Sequence, residues 1–200
     1  MRSFISLITL TLSAIVTTAV PTGELEARQS CPDVQVYFAR GTGEVGTLGT
    51  VVGPSFSTAL NVQLVGKSVR FTGIDYPALV SGYLAGGDAG GARTMANSVT
   101  STANSCPNTK IVISGYSQGA QVTRLAAHQL SSVIQNRIVA VVTFGDPYES
   151  TALPGVLQSR RKTFCNFGDL ICTGQHIILA PHLTYGSDAT AAASFVRAHV

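Results

Sequence analysis

Tryptophan is absent from this 200-residue chain, and its 13 Lys and Arg residues form no extended run. A nucleic-acid surface is therefore not expected, and a net charge of +3 adds only a weak bias. No Asn-x-Ser/Thr acceptor occurs, which excludes N-glycosylation. The four cysteines, Cys31, Cys106, Cys165 and Cys172, fit no common zinc spacing. Repeats and low-complexity tracts are also missing, and the longest hydrophobic run lies at the start.

That run, Phe4 to Val16, follows an early arginine and precedes small residues, which is the order of a secretory signal peptide over Met1 to about Ala19. It is too short and too interrupted for an integral membrane span. Residues 20–28, with Glu24, Glu26 and Arg28, suit a pro-segment or a solvated tail. Outside the cell, four cysteines imply two disulfides. Cys165 and Cys172 would close a tight local loop, leaving Cys31 to pair with Cys106. Residues 29–200, with 45% hydrophobic residues in the whole chain, are sufficient for one domain with its own core, and a monomer is the default.

Apolar runs recur at Val34 to Ala39, Ser68 to Ile74, Ile111 to Ser114, Ile138 to Phe144 and Lys162 to Phe167. Helix-compatible stretches at Pro54 to Val65, Ala92 to Ser105, Gln118 to Gln135 and from about Ala189 separate most of them. Alternation of this kind predicts an α/β fold with a parallel sheet covered on both faces. Glycine-rich connections at Gly41 to Gly53 and Gly82 to Gly91 are long for such a fold, and long loops in a compact domain usually shape a site.

Gly115-Tyr116-Ser117-Gln118-Gly119 sits between an apolar run and a helical one, the context a nucleophile elbow needs. A serine hydroxyl becomes a nucleophile only when a base takes its proton, and a histidine oriented by a carboxylate is the usual solution, one that needs no metal or organic cofactor. Of the four histidines, His128 falls on the following helix and His199 is penultimate, which leaves His176 and His182. His182 follows Pro181 in a late loop, where the order Ser, Asp, His places its base. Asp169 lies within the loop that a Cys165–Cys172 bond would stiffen. Asp146, just after a strand, is the runner-up, and Asp33, Asp75 and Asp188 suit turns or caps.

Together these segments resemble the cutinase family of serine esterases over most of the chain. Tyr37-Phe38-Ala39-Arg40-Gly41-Thr42-Gly43-Glu44 is similar to the family's oxyanion segment, and Gly115 to Gly119 to its nucleophile motif. Phe164-Cys165-Asn166 through Gly168-Asp169-Leu170, Cys172-Thr173-Gly174 and Ala180-Pro181-His182-Leu183-Thr184-Tyr185-Gly186 form the most specific block. The resemblance implies a three-layer α/β/α sandwich of the small α/β-hydrolase type, with a five-stranded parallel sheet and no lid. It further implies a triad of Ser117, Asp169 and His182, with the backbone N–H groups of Thr42 and Gln118 as oxyanion donors. An insoluble polyester or lipid ester is the implied substrate.

Tyr76, Leu79, Tyr116, Ile178 and Leu183 are candidates for the substrate rim, although loop packing explains the tyrosines and Leu79 equally well. Ile177-Ile178-Leu179 suits either a rim or ordinary core. His176 stands where the family often has leucine. Ile74-Asp75-Tyr76-Pro77-Ala78 resembles acetylxylan esterases more than cutinases, which keeps carbohydrate deacetylation as an alternative. A secreted polymer-binding module with no catalysis is the alternative of another class.

Overall fold

The structure, a computed structural model, describes residues Cys31 to Val200; the expected leader at Met1 to Ala19 and pro-segment at residues 20–28 lie outside the described residues. In chain order the regular elements are β1 (Val34–Ala39), α1 (Gly53–Gln63), β2 (Val69–Gly73), α2 (Val80–Leu84), α3 (Ala89–Ser105) and β3 (Lys110–Tyr116). They continue with α4 (Gln118–Gln129), α5 (Ser132–Gln135), β4 (Ile138–Phe144), β5 (Arg161–Phe164) and α6 (Ala189–Arg197). The five strands form one sheet in the order β2-β1-β3-β4-β5, and every pair runs parallel.

A parallel strand is covered on both faces, so its apolar residues must serve two cores. Along β3, Ile111 and Ile113 point into one core with Met95, Val99 and Val122 of α3 and α4. Val112, one residue out of step, points into the other with Phe56 of α1 and Val196 of α6. The result is a three-layer sandwich.

Several local departures from the expected elements have clear causes. The stretch Gln118 to Gln135 is two helices, because Leu130 is extended and Ser131 caps the second helix by accepting from the Ile134 N–H. The Gln135 side chain donates to the carbonyls of Ala127 and Leu130, so the end of α4 is satisfied without a continuing helix. Within the glycine-rich Gly82 to Gly91 segment, α2 and the start of α3 are helical. Gly86 and Gly87 turn the chain between them with φ of 83° and 123°, and the Asp88 carboxylate caps α3 by accepting from the Gly91 N–H at 2.7 Å.

Both disulfides have the expected pairing: Cys31–Cys106 and Cys165–Cys172. The first ties the entry to β1 to the end of α3, and the second closes the loop that leaves β5. The sheet order reverses direction between β1 and β3, the place where an open parallel sheet leaves a crevice at its carboxyl ends. The loops that follow β1 and β3 carry Thr42 and Ser117.

Candidate active site

Ser117 stands between β3 and α4 with φ 56° and ψ −119°, a conformation that costs a non-glycine residue about 1–3 kcal/mol. Its neighbours impose that turn. A Cβ on Gly115 would strike the carbonyl of Gly119, and a Cβ on Gly119 would strike the carbonyl of Ala39 in β1. Glycine at both places lets strand, helix and neighbouring strand approach closely. The turn puts Ser117 at the N-terminus of a 12-residue helix, where N–H groups lack intrahelical acceptors.

The serine hydroxyl lies 3.0 Å from His182 Nε2, and His182 Nδ1 lies 2.8 Å from Asp169 Oδ2. His182 and Asp169 are 1% and 3% exposed, so water hardly competes for these bonds. A neutral imidazole that gives its Nδ1–H to the carboxylate presents an unprotonated Nε2 to the serine. The hydroxyl's proton therefore has an acceptor already in place.

Each oxygen of Asp169 is fixed. Oδ1 accepts from the Ile171 N–H at 3.0 Å, and Oδ2 accepts from both His182 and the Tyr185 hydroxyl, the latter at 2.5 Å. The Asn166 N–H in turn donates to the Tyr185 oxygen at 3.0 Å. Burial, followed by the bond to Asp169, holds the Tyr185 phenol far above its ordinary pKa, so it acts as a donor. Asp146 belongs to a different environment: it is buried after β4 and accepts from the Tyr148 N–H, and burial raises its pKa.

The Thr42 loop is built around Glu44. That carboxylate accepts from the N–H groups of Gly41, Thr50 and Val51, while Arg40 donates to the carbonyls of Glu44 and Tyr76. Gly43 N–H donates to Ala78 O at 2.8 Å. The side chain of Gln118 links this loop to the elbow, with Nε2 donating to Thr42 Oγ1 and to Leu79 O, both at 2.8 Å. Because Thr42 Oγ1 accepts there, its own proton remains free for another acceptor.

Of the expected rim residues, Leu79, Ile178 and Leu183 are exposed, as are Ile177 and Leu179, which are therefore not core. Tyr116 and Tyr76 are corrections. Tyr116 is buried beneath the site, where its hydroxyl donates to His182 O at 2.8 Å and its ring packs 5.1 Å from the imidazole. Tyr76 is buried against Arg40, bonds to the Arg40 carbonyl and lies under its guanidinium at 5.0 Å. Both aromatic rings have polar handles that must be paired when buried, and the loops supply the partners.

Sequence reasoning gave no role to Tyr185 or to the side chain of Gln118. Tyr185 follows His182 by three residues, one turn of the short helical segments around it, and that spacing is the signal that it shares His182's surroundings. No comparable local signal exists for Gln118, whose partners lie 76 and 39 residues away.

The Cutinase family model matches residues 30–200. A cutinase of Coprinopsis cinerea is 66% identical over 198 residues, spanning 98% of this chain and 99% of that protein. A cutinase of Botryotinia fuckeliana is 52% identical over 196 residues, spanning 98% and 95%. The solved Trichoderma reesei cutinase in complex with a C11Y4 phosphonate inhibitor is 44% identical with a TM-score of 0.79, covering 83% of this chain and 75% of that one. An acetyl xylan esterase structure, 25% identical with a TM-score of 0.69 over 85% of this chain and 99% of its own, shares the fold. The small lidless α/β-hydrolase sandwich, the Gly115 to Gly119 elbow and identity sustained over nearly the full length agree on one assignment: the chain belongs to the cutinase family.

Proposed function

We propose that Ser117 is the nucleophile, His182 the general base and Asp169 the orienting acid of an esterase whose oxyanion hole comprises the N–H groups of Thr42 and Gln118. The observation that carries this reading is the continuous hydrogen-bonded line from Ser117 through His182 to Asp169 at the N-terminus of α4. Ser117 Oγ attacks an ester carbonyl as His182 Nε2 takes its proton, and Asp169 stabilises the imidazolium. Charge that develops on the carbonyl oxygen meets the two N–H groups, the helix dipole and the Thr42 hydroxyl. His182 then protonates the leaving alcohol, and water repeats the sequence on the acyl-enzyme. Every proton transfer is assigned to a group of this chain.

The substrate best suited to this rim is cutin or a related aliphatic polyester, with soluble short-to-medium acyl esters as simpler versions. Leu79, Val80 and Leu84 in and beside α2, and Ile177, Ile178 and Leu179 in the loop before His182, are exposed. Apolar acyl carbons gain about 0.8 kcal/mol for each CH₂ buried there. Exposed apolar surface of this kind also favours adsorption to a waxy solid. Among the described residues no helix is long and apolar enough to cross a membrane.

An extracellular enzyme, released by removal of Met1 to Ala19 and then of residues 20–28, completes the proposal. The two disulfides support export to an oxidising compartment. One copy of the chain supplies every group of the site, which supports a monomer. Hydrolysis of p-nitrophenyl esters from acetate to palmitate, with Ser117→Ala as blank, tests the chemistry. A maximum at butyrate to octanoate together with release of cutin monomers supports it, activity confined to acetate would favour a carbohydrate deacetylase, and none above the blank would overturn it. N-terminal sequencing of the exported protein checks the processing.

A further inference from the structure

The two apolar walls of the site are joined by a pair of residues 93 positions apart. The Tyr83 hydroxyl lies 3.1 Å from His176 Nδ1, and the two rings meet edge to face with centroids 5.4 Å apart and planes at 90°. Tyr83 belongs to α2, which is anchored over the elbow: Gln118 Nε2 donates to Leu79 O, and a Cβ on Gly82 would lie 2.7 Å from Gln118 Oε1. His176 belongs to the loop that leads to the base, and His182 N–H donates back to Leu79's counterpart on that wall, Leu179 O, at 2.9 Å. One partner therefore belongs to the helix held by Gln118, next to Ser117, and the other to the loop that carries His182, whose Nε2 faces the serine hydroxyl.

The position of the pair bears on access. Ser117 is 6% exposed, so an ester reaches its hydroxyl only through the groups that surround it. Tyr83 is half-buried: burial first, then the neighbouring Tyr148 and Asp169, push its phenol above the ordinary range. His176 is exposed at the surface end. Leu79, Val80 and Leu84 flank one partner, and Ile177 and Ile178 the other, so the pair is a polar link in an otherwise apolar rim.

We propose that Tyr83 and His176 form a clasp across the mouth of the site that determines acyl specificity, admitting unbranched chains and excluding those branched beside the carbonyl. An unbranched chain needs a passage one methylene wide and can run beside the joined rings. A quaternary carbon next to the carbonyl needs the rings to part. The pair is held by one hydrogen bond and one edge-to-face contact, which is enough to select by shape but not to seal the site. This rests on Ser117 being the nucleophile.

The test is kcat/KM for p-nitrophenyl butyrate and p-nitrophenyl trimethylacetate, read as a ratio, in the full protein and in Tyr83→Phe, Tyr83→Ala, His176→Ala and the double alanine variant. The expected result is a rise of roughly tenfold in the trimethylacetate-to-butyrate ratio in either alanine variant, the scale on which a pocket wall discriminates small alkyl differences. Tyr83→Phe, which keeps the ring but not the hydroxyl, falls in between. The double variant gives no further rise, because either substitution already opens the clasp. A ratio unchanged in both single alanine variants overturns the proposal, and so do single effects that multiply in the double. His176→Ala removes an exposed side chain, so the question stays answerable should Tyr83→Ala fail to fold. Absence of butyrate turnover in the unmodified protein would instead overturn the assignment of Ser117, and the clasp with it.

Discussion

The Tyr185 hydroxyl donates to Asp169 Oδ2, the same oxygen that receives His182 Nδ1–H. Two donors on one lone-pair-rich atom fix the carboxylate's rotation, and the Tyr185 ring also meets the imidazole edge to face at 6.0 Å. Tyr185 is fully buried and bonds to Asp169 rather than to the serine, so it would act by positioning. Tyr185→Phe should lower kcat about tenfold with KM nearly unchanged, since a hydrogen bond to a charged group is worth about 1.5–3 kcal/mol and only part of it bears on the imidazole. Steady-state kinetics check the split, and a change confined to KM would refute the role.

Asp169→Asn tests the orienting acid. An amide can turn its NH₂ toward His182 Nδ1, which then accepts and leaves its proton on Nε2, facing the serine hydroxyl with a donor. Loss of the correct tautomer is worth about 10⁴ in kcat. Asp146→Asn should leave the rate close to that of the parent, because Asp146 has its own partners in Tyr148 and Thr143. Equal losses in the two variants would mean that the acid has been misassigned.

Asp146→Asn also carries a stability prediction. Burial lifts the Asp146 carboxyl above its ordinary pKa, against the opposing bonds from Tyr148 and Thr143 and the charges of Arg161 and Arg124. A carboxyl raised in the folded state contributes stability that is full below its unfolded pKa and is lost as pH rises through the folded value. Above that range the parent holds a poorly solvated charge and the asparagine variant does not. The variant should therefore melt higher at pH 7 to 8, by about 2–4 °C for each kcal/mol relieved, and the gap should close in acid. Thermal melts across pH would refute this if the variant were less stable at neutral pH.

Thr42→Val keeps the shape and removes the hydroxyl. Gln118 Nε2 loses one of its two acceptors, and the developing oxyanion loses a donor whose removal costs about 10²–10³ in kcat. Thr42→Ser should stay within a few-fold of the parent, because the hydroxyl and its acceptor role survive. Equal rates in the valine and serine variants would restrict Thr42's contribution to its N–H.

The strands and the elbow were legible because they depend on local pattern: apolar runs of strand length, and glycines spaced around Ser117, whereas the strand order depends on pairing that no local pattern carries. Asp169 and His182 were legible because the disulfide and Pro181 mark their loops in the sequence. Tyr76 and Tyr116 show where that stops. An aromatic beside a catalytic motif suits a rim or a support equally well, and the choice depends on whether its hydroxyl finds a buried carbonyl, here Arg40 O and His182 O, contributed by distant segments. The break at Leu130 was hidden for a related reason, since the side chain that closes the end of α4 comes from Gln135 in the next helix. Pairing between segments far apart in sequence leaves no periodic trace.

Gly145 offers the most direct test of how tightly the base is held. It follows β4 with φ 53°, a left-handed conformation that disfavours side chains, and a Cβ there would lie 2.7 Å from His182 Cε1, 2.8 Å from Nδ1 and 2.8 Å from the Tyr185 ring. The imidazole cannot yield without lengthening its bond to Asp169 or to Ser117, because Tyr116 packs against the same ring. Gly145→Ala should therefore cost activity and stability together: about 10² in kcat from an ångström-scale displacement of the base, and about 1–3 kcal/mol from backbone strain. If melting falls but turnover by the folded fraction does not, His182 has room to move and the site is looser than these distances describe. If turnover falls as expected, the backbone that leaves β4 belongs to the machinery that aims the base.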